Sequence, residues 1–468
     1  MLIRNALLVP GAGDWRPRRA DILIQRSRIA EVGAAGTLAA QPVVEATNLL
    51  AAPGLVNAHY HSPLSLLRGT ADGLSHPAFM WQNQLDTTGR TAREVYVSAL
   101  LGGAEMLASG TTAVIDHFPE QAFGLEHVEA VVQAYRDLGM RAAVALRVFD
   151  GSYDDILPPQ GLPPELAARN PLAVMPLEDT MALIADALSR FHDPERRIQI
   201  FPAPSNPSRC TDELVVACDR LAARHGLGVH THLLETEVQT RIARERYGTT
   251  MVRHMERLGV LSPRLSCAHT IWIDEDDIGR LAAHGATVVH NPESNLKVGA
   301  GLMPLPAMRR AGLRIALGTD GASTNDNLVL HEAMRLAAIL HRPLEPRRAH
   351  WVRAEHALDM ATGGGAGALQ CADLGAIAPG QRADLVLYDL EHPRWTPCND
   401  PAQQLVFGEC GDSVHTAIVD GRVLIREGKL LTIDLPSLLD EARGMLADIR
   451  SRNRGLARGV EILLSRLQ

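Results

Sequence analysis

Eight times between residues 55 and 340 a short apolar run is followed by a stretch of helical periodicity, and this alternation constrains the fold more than any other feature. The apolar runs fall at 55–61, 111–117, 141–149, 198–204, 228–235, 265–270, 287–292 and 314–320. Runs such as TTAVI and RAAVAL carry almost no polar residues, as strands buried on both faces require. Strands alternating with helices build parallel sheets, and eight such units are the number that closes a barrel. The expected class is therefore α/β, with a (β/α)8 TIM-type barrel over residues 55–374.

Both flanks read differently. LIRNALLVP, ADILIQ and RIAEVG near the start, and ADLVLYDL with HTAIVDGRVLIREGKLLTID near the end, are short strands separated by turn residues. Asp420-Gly421 between two apolar runs signals a tight hairpin. These flanks, residues 1–54 with 375–434, are expected to combine into a small β-sandwich. Residues 435–468 read as an Arg-rich helical tail that packs on the barrel or on a neighbouring subunit. A Pro-rich stretch at 150–178 is long for a loop and is a candidate lid.

Composition narrows the partners. A net charge of −8 argues against a nucleic-acid partner, which needs a basic face. Six cysteines without a C-x-x-C pair suit a reducing, cytoplasmic setting better than a disulfide framework. No cationic flank with a long apolar run opens the chain, and no run reaches the length of a membrane span, so neither a signal peptide nor membrane insertion is expected.

Catalytic groups of such barrels stand at the C-terminal ends of the strands. The first strand ends in His59-Tyr60-His61, and the period of a strand places residues i and i+2 on one face. The fifth ends in His230-Thr231-His232 with Glu235 three residues on, the sixth in His269 and the eighth in Asp320. One His-x-His among 19 histidines carries little weight, and a lone His269 or Asp320 is ordinarily structural. Their fall at the same edge of successive units is what points to a metal site.

GLVNAHYH, HTHLLE, AHT, HNPESNLK and LGTDGAS, with the later GAIAPGQRADLVLYDL, resemble the metal-site motifs of the amidohydrolase superfamily, in its branch of triazine hydrolases and S-adenosylhomocysteine/methylthioadenosine deaminases. The resemblance implies that His59, His61, His232 and Asp320 hold one divalent ion, Zn2+ or Fe2+, and that His230 is structural. Many superfamily members bridge a second ion with a lysine on strand four. The chain has only two lysines, Lys297 and Lys429, and neither lies in that unit, so a mononuclear site is expected. In the implied mechanism the ion acidifies a water, Asp320 takes its proton, His269 orients it, and Glu235 protonates the substrate ring and leaving group.

Residues expected near substrate are Trp81, Gln82, His117, Phe149, Asn295 and Thr324, all in loops after strands. Two features conflict. The stretch MWQNQLDTTGRTAREV has Asp86 but no glutamate where nucleoside deaminases hold ribose, whereas Gly321 after the metal aspartate matches those deaminases. The expectation is hydrolytic deamination of an aromatic N-heterocycle (purine, pyrimidine, pterin or triazine) by a homo-oligomer acting on a small molecule. The alternatives are the same mechanism with another leaving group, such as chloride, an alkylamine or a thiocarbamate, and a non-catalytic barrel with a binding role.

Overall fold

The computed structural model describes residues 1–119, 123–151, 174–193, 195 and 197–467. Most of the Pro-rich stretch expected as a loop, 152–173, lies outside the described residues. In chain order the strands are β1 (Leu2–Leu8), β2 (Arg18–Gln25), β3 (Arg28–Ala34), β4 (Val43–Glu45), β5 (Leu49–Pro53), β6 (Leu55–Tyr60), β7 (Thr111–Phe118), β8 (Arg141–Val148), β9 (Ile198–Pro204), β10 (Val229–Leu233), β11 (Leu265–His269), β12 (Thr287–His290), β13 (Arg314–Leu317), β14 (Leu385–Asp389), β15 (Val414–Val419), β16 (Arg422–Arg426) and β17 (Lys429–Leu430).

β6 to β13 are the eight apolar runs of the alternation. They form two four-stranded parallel sheets, β6-β7-β8-β9 and β10-β11-β12-β13. At one seam the His232 N–H donates to Ser205 O at 3.1 Å, and at the other the Asp320 N–H donates to His59 O at 3.0 Å. With helices between successive strands, this is a TIM-barrel-type α/β fold. Every residue of β7 and β8 is buried, which explains why those runs lack polar alternation.

The first and last strands meet in one nine-stranded sheet of order β17-β16-β15-β14-β5-β1-β2-β3, with β4 on β1. Its join is the antiparallel pair β5–β14, from Leu385 opposite Pro53 to Asp389 opposite Leu49. Along these two strands the side chains alternate between two cores. Leu49, Ala51, Leu385 and Leu387 pack into a smaller cluster with Ile3, Leu8 and Ile22. Leu50, Ala52, Val386 and Tyr388 face the main core. The β15–β16 turn is Asp420-Gly421 with φ of 54° and 74°, both in the left-handed region that a two-residue hairpin demands. One fully buried ion pair ties the sheet to the barrel: Arg141, opening β8, donates to Asp384 at 2.8 Å.

Two helices close the chain, Leu435–Arg452 and Arg454–Leu467. They lie against helices His76–Thr87 and Ala92–Ala108, which belong to the first β/α unit. Among the described residues no helix is long and apolar enough to cross a membrane.

Candidate metal centre and adjoining pocket

At the ends of β6, β10, β11 and β13 a cluster of imidazoles and one carboxylate converges. His59 ends the inward face of β6, and His61 continues it because its backbone stays extended (φ −127°, ψ 100°). The hydrogen bonds behind each ring set its tautomer. Ser266 Oγ donates to Val229 O (3.2 Å) and so accepts from His230 Nδ1 (2.7 Å). His230 Nε2 then accepts from His59 Nδ1 (2.8 Å). His61 Nδ1 donates to His117 O and His232 Nδ1 to Ser205 O, both at 2.8 Å. All three rings therefore turn an unprotonated Nε2 to the centre. The His61 and His232 Nε2 atoms stand 3.2 Å apart, and Asp320 Oδ1 is 3.4 Å from His61 Nε2 and 3.6 Å from His59 Nε2.

Four acceptors facing one another repel unless a cation lies among them, and His59 Nε2 is buried with no other hydrogen-bond partner. Burial, reinforced by the neighbouring imidazoles, holds His59 and His232 well below the usual histidine range, so neutral rings are the stable form. Three nitrogens and one carboxylate fit a divalent transition ion.

Asp320 occupies a demanding backbone position. Its φ is +59°, its Oδ1 accepts from the Gly321 N–H at 2.8 Å, and its Oδ2 accepts from Ser294 Oγ at 2.5 Å. Glycines on either side permit this. A Cβ at 318 would stand 2.8 Å from His59 Cβ, and one at 321 would stand 2.3 Å from Leu64 Cδ1. Gly321, singled out in the sequence, is thus required by the close approach of Leu64.

Next to this centre are His269 and Glu235. His269, with φ +69° at the end of β11, has Nδ1 2.8 Å from Asn295 Oδ1 and Nε2 3.9 Å from Glu235 Oε1. A left-handed Leu234 (φ +50°) turns the chain after β10, and Gln239 Oε1 holds the Glu235 N–H at 2.9 Å. His76 Nε2 stands 3.4 Å from Glu235 Oε1. Burial would raise the Glu235 carboxyl, but the charges of His269 and His76 outweigh it and hold it well below the usual carboxylate range.

The cluster opens on a cavity lined by His61, His232, Glu235, His269 and Asp320 together with His76, Phe79, Met80, Asn83 and Arg147. The residues expected near substrate are placed otherwise. Trp81 and Gln82 lie on helix His76–Thr87 but do not line this cavity; Trp81 is buried in the main core and Gln82 donates to Asp86 at 3.0 Å. Phe149 lies under the Arg209 guanidinium at 3.2 Å. Thr324 Oγ donates to Gly321 O at 2.9 Å, and Asn295 serves His269. His117 is buried inside the cluster, stacked on His232 at 4.7 Å, and shares a potential ion-binding group with His59, His61 and His232. His76, Asn83 and Arg147 were not anticipated. A helical reading of residues 76–87 would have found His76 and Asn83, since i, i+3, i+4 and i+7 share a face.

Fold and centre together define a metal-dependent hydrolase of the TIM-barrel type. Residues 50–424 match the amidohydrolase family, and the chain belongs to it. It is 31% identical to a 5'-deoxyadenosine deaminase of Methanosarcina mazei over 97% of this chain and 99% of that one. It is 35% identical to a 5-methylthioadenosine/S-adenosylhomocysteine deaminase of Thermococcus kodakarensis over 91% of this chain and 94% of that one. Among solved structures, a zinc-bound adenosine deaminase from Xanthomonas campestris superimposes with a TM-score of 0.85 at 27% identity, covering 96% of this chain and 98% of that one. The zinc complex of atrazine chlorohydrolase from Arthrobacter aurescens does so with 0.84 at 26%, covering 95% and 99%.

Proposed function

We propose that this amidohydrolase is a mononuclear hydrolytic deaminase of an aminated N-heterocycle, with adenosine-type purines the first class to test. The observation that carries the reading is that Glu235, His269 and the His59/His61/His232/Asp320 set face one cavity. Those four residues would hold the ion, with zinc favoured by the nitrogen-rich donor set and by the zinc in both structural relatives. No lysine stands on β9 to bridge a second.

A bound divalent ion supplies Lewis acidity that lets water react near neutral pH. Asp320 accepts the proton of the attacking water, and His269 Nε2 orients that water toward the ring carbon. Glu235, ionised at rest, takes the water's other proton to the ring nitrogen, and the proton held by Asp320 passes through Glu235 to the departing amine, which leaves as ammonia while the ring carbon gains oxygen. Its pairing with His76 keeps the carboxylate turned toward the ring. Water and the amine become the oxo product and ammonia, with no oxidant required.

A second reading, displacement of chloride or an alkylamine from a triazine, is favoured by one feature: Glu235 and Asp320 are the only carboxylates lining the cavity among the described residues, which leaves none to grip a ribose diol. The same proposal takes the eight strands as one closed barrel over 55–374 and the flanking sheet, from 1–54 with 375–434, as a folded-over sandwich. It also takes the protein as a cytoplasmic homo-oligomer, in keeping with cysteines that form no disulfide among the described residues.

The test is ammonia release from aminated purines, adenosine derivatives, pterins and triazines by metal-analysed protein, with chloride and amine measured in parallel. Ammonia from one class, lost in Glu235→Gln, supports deamination. Chloride or alkylamine release without ammonia moves the reading to the second class.

A further inference from the structure

Helix His76–Thr87 has two working faces. His76, Phe79, Met80 and Asn83, spaced i, i+3, i+4 and i+7, turn to the cavity. Asp86 stands beside that stripe, about 80° round the helix from His76, and Leu85 stands on the far side; both meet the C-terminal helices. There Arg450 Nε and Nη2 each donate to one oxygen of Asp86 at 2.7 Å, a bidentate pair on a fully buried carboxylate. Asn453 Nδ2 donates to Leu85 O at 2.9 Å and Thr88 O at 2.8 Å, satisfying carbonyls at the end of the helix that have no partner within it. Beside this, Arg452 grips both oxygens of Glu94 at 2.7 Å, and Glu94 completes the capping box with Thr91 at the start of the following helix. Ile449, Leu456 and Val460 are buried in the same seam.

The helix depends on that seam. It spans 12 residues, its N-cap Ser75 makes no side-chain cap bond, and left-handed glycines at 73 and 89 flank it. A helix of this length is marginal by itself, and packing of its two faces must hold it. The cavity stripe has open space before it, so the rigid support comes from the flank at Asp86 and from the C-terminal end of the helix.

We infer that the C-terminal helices are part of the substrate site: by gripping the flank and C-terminal end of helix His76–Thr87 through Arg450 and Asn453, they set where His76, Phe79, Met80 and Asn83 stand, and Arg450 is a positioning residue for substrate affinity. The inference rests on the cavity being the substrate site proposed above. The tail's hydrogen bonds to this wall fall on Leu85, Asp86, Thr88 and Glu94, so loosening the wall weakens substrate binding more than the chemistry.

The experiment compares Arg450→Ala, Arg450→Lys and Asp86→Asn in the full chain. Metal content, kcat, KM and amide hydrogen exchange over residues 76–88 are read for each. Arg450→Ala is expected to raise KM roughly ten- to a hundredfold with kcat within about twofold. Its metal content stays unchanged, and protection is lost at 76–88. Arg450→Lys restores part of both. Asp86→Asn, which leaves no buried charge stranded, folds normally and still raises KM. Unchanged KM with unchanged exchange overturns the inference, as does a joint fall of kcat and metal content. If the unaltered enzyme releases ammonia, chloride or amine from no compound tested, the deamination reading and its alternative have failed. The tail's grip is then decided by exchange at 76–88 alone: lost protection in Arg450→Ala upholds it, retained protection ends it.

Discussion

His59 Nδ1 stands 2.8 Å from His230 Nε2, so a residue on β10, in the other four-stranded sheet, decides which nitrogen His59 turns to the metal centre. His230 is in turn held by Ser266, and the chain of donors ends on the Val229 carbonyl. His230→Leu keeps the volume and removes the acceptor. It is expected to weaken metal affinity on the order of 10- to 100-fold, with His230→Gln, which retains an acceptor, affected less. Competition with a chelator measures this; equal affinity in the Leu and Gln variants would show that the tautomer chain has no hold on the ion.

Glu235 and His232 are three residues apart and should fail in different ways. Glu235→Gln keeps its place beside His269 and His76 but cannot carry a proton, so the ion stays and turnover falls about 10²- to 10⁴-fold. His232→Ala removes one of the converging nitrogens and is expected to lose the ion itself. Metal analysis of both purified variants separates the outcomes; a full complement of metal in His232→Ala means that the ligand set is misassigned.

Asp384→Ala strands Arg141, whose side chain is fully buried at the join between barrel and flanking sheet. Loss of one partner of a buried pair costs about 3–5 kcal/mol. Part of the guanidinium's bonding survives through Asp420 at 3.1 Å, which places the expected loss at the low end. The denaturant midpoint is the readout, and a midpoint equal to that of the unaltered chain would be inconsistent with a load on this pair.

Glu293 presents the opposite case, a buried acid held neutral. Burial, with the nearby Glu332 charge, pushes its carboxyl up from 4.5 to about 8. The folded chain therefore keeps a proton that the unfolded chain releases, and stability drains as pH rises from about 4.5 to 8. Glu293→Gln removes that drain. The variant is expected to gain on the unaltered protein by on the order of a few kcal/mol between pH 5 and pH 8. Parallel stability curves across that range would show that Glu293 is solvated in the native state.

Much of the centre was legible because strands carry a simple period. His59 and His61 share a face by alternation, and the other converging side chains fall at the same strand edge in later units. The pocket was less legible. Trp81 and Gln82 were chosen for what their side chains can do, but the helix turns 100° per residue and presents His76, Phe79, Met80 and Asn83 to the cavity instead. Asn295, read as a substrate contact, is bonded to His269. Its partner is 26 residues away, and no local pattern records a pairing of that kind.

The sequence by itself determined the eightfold strand–helix alternation, the short strands of the two flanks, the Asp420-Gly421 hairpin and the histidines and aspartate at the strand ends. Each is a matter of local period or local backbone preference. Only the tertiary structure decided that His76 meets Glu235, that Ser266 and His230 orient His59, and that Arg450 reaches Asp86 across 364 positions of chain. These depend on which elements pack together. A hydrogen bond or ion pair between distant residues leaves no periodic trace, because its geometry exists only once the cores have formed.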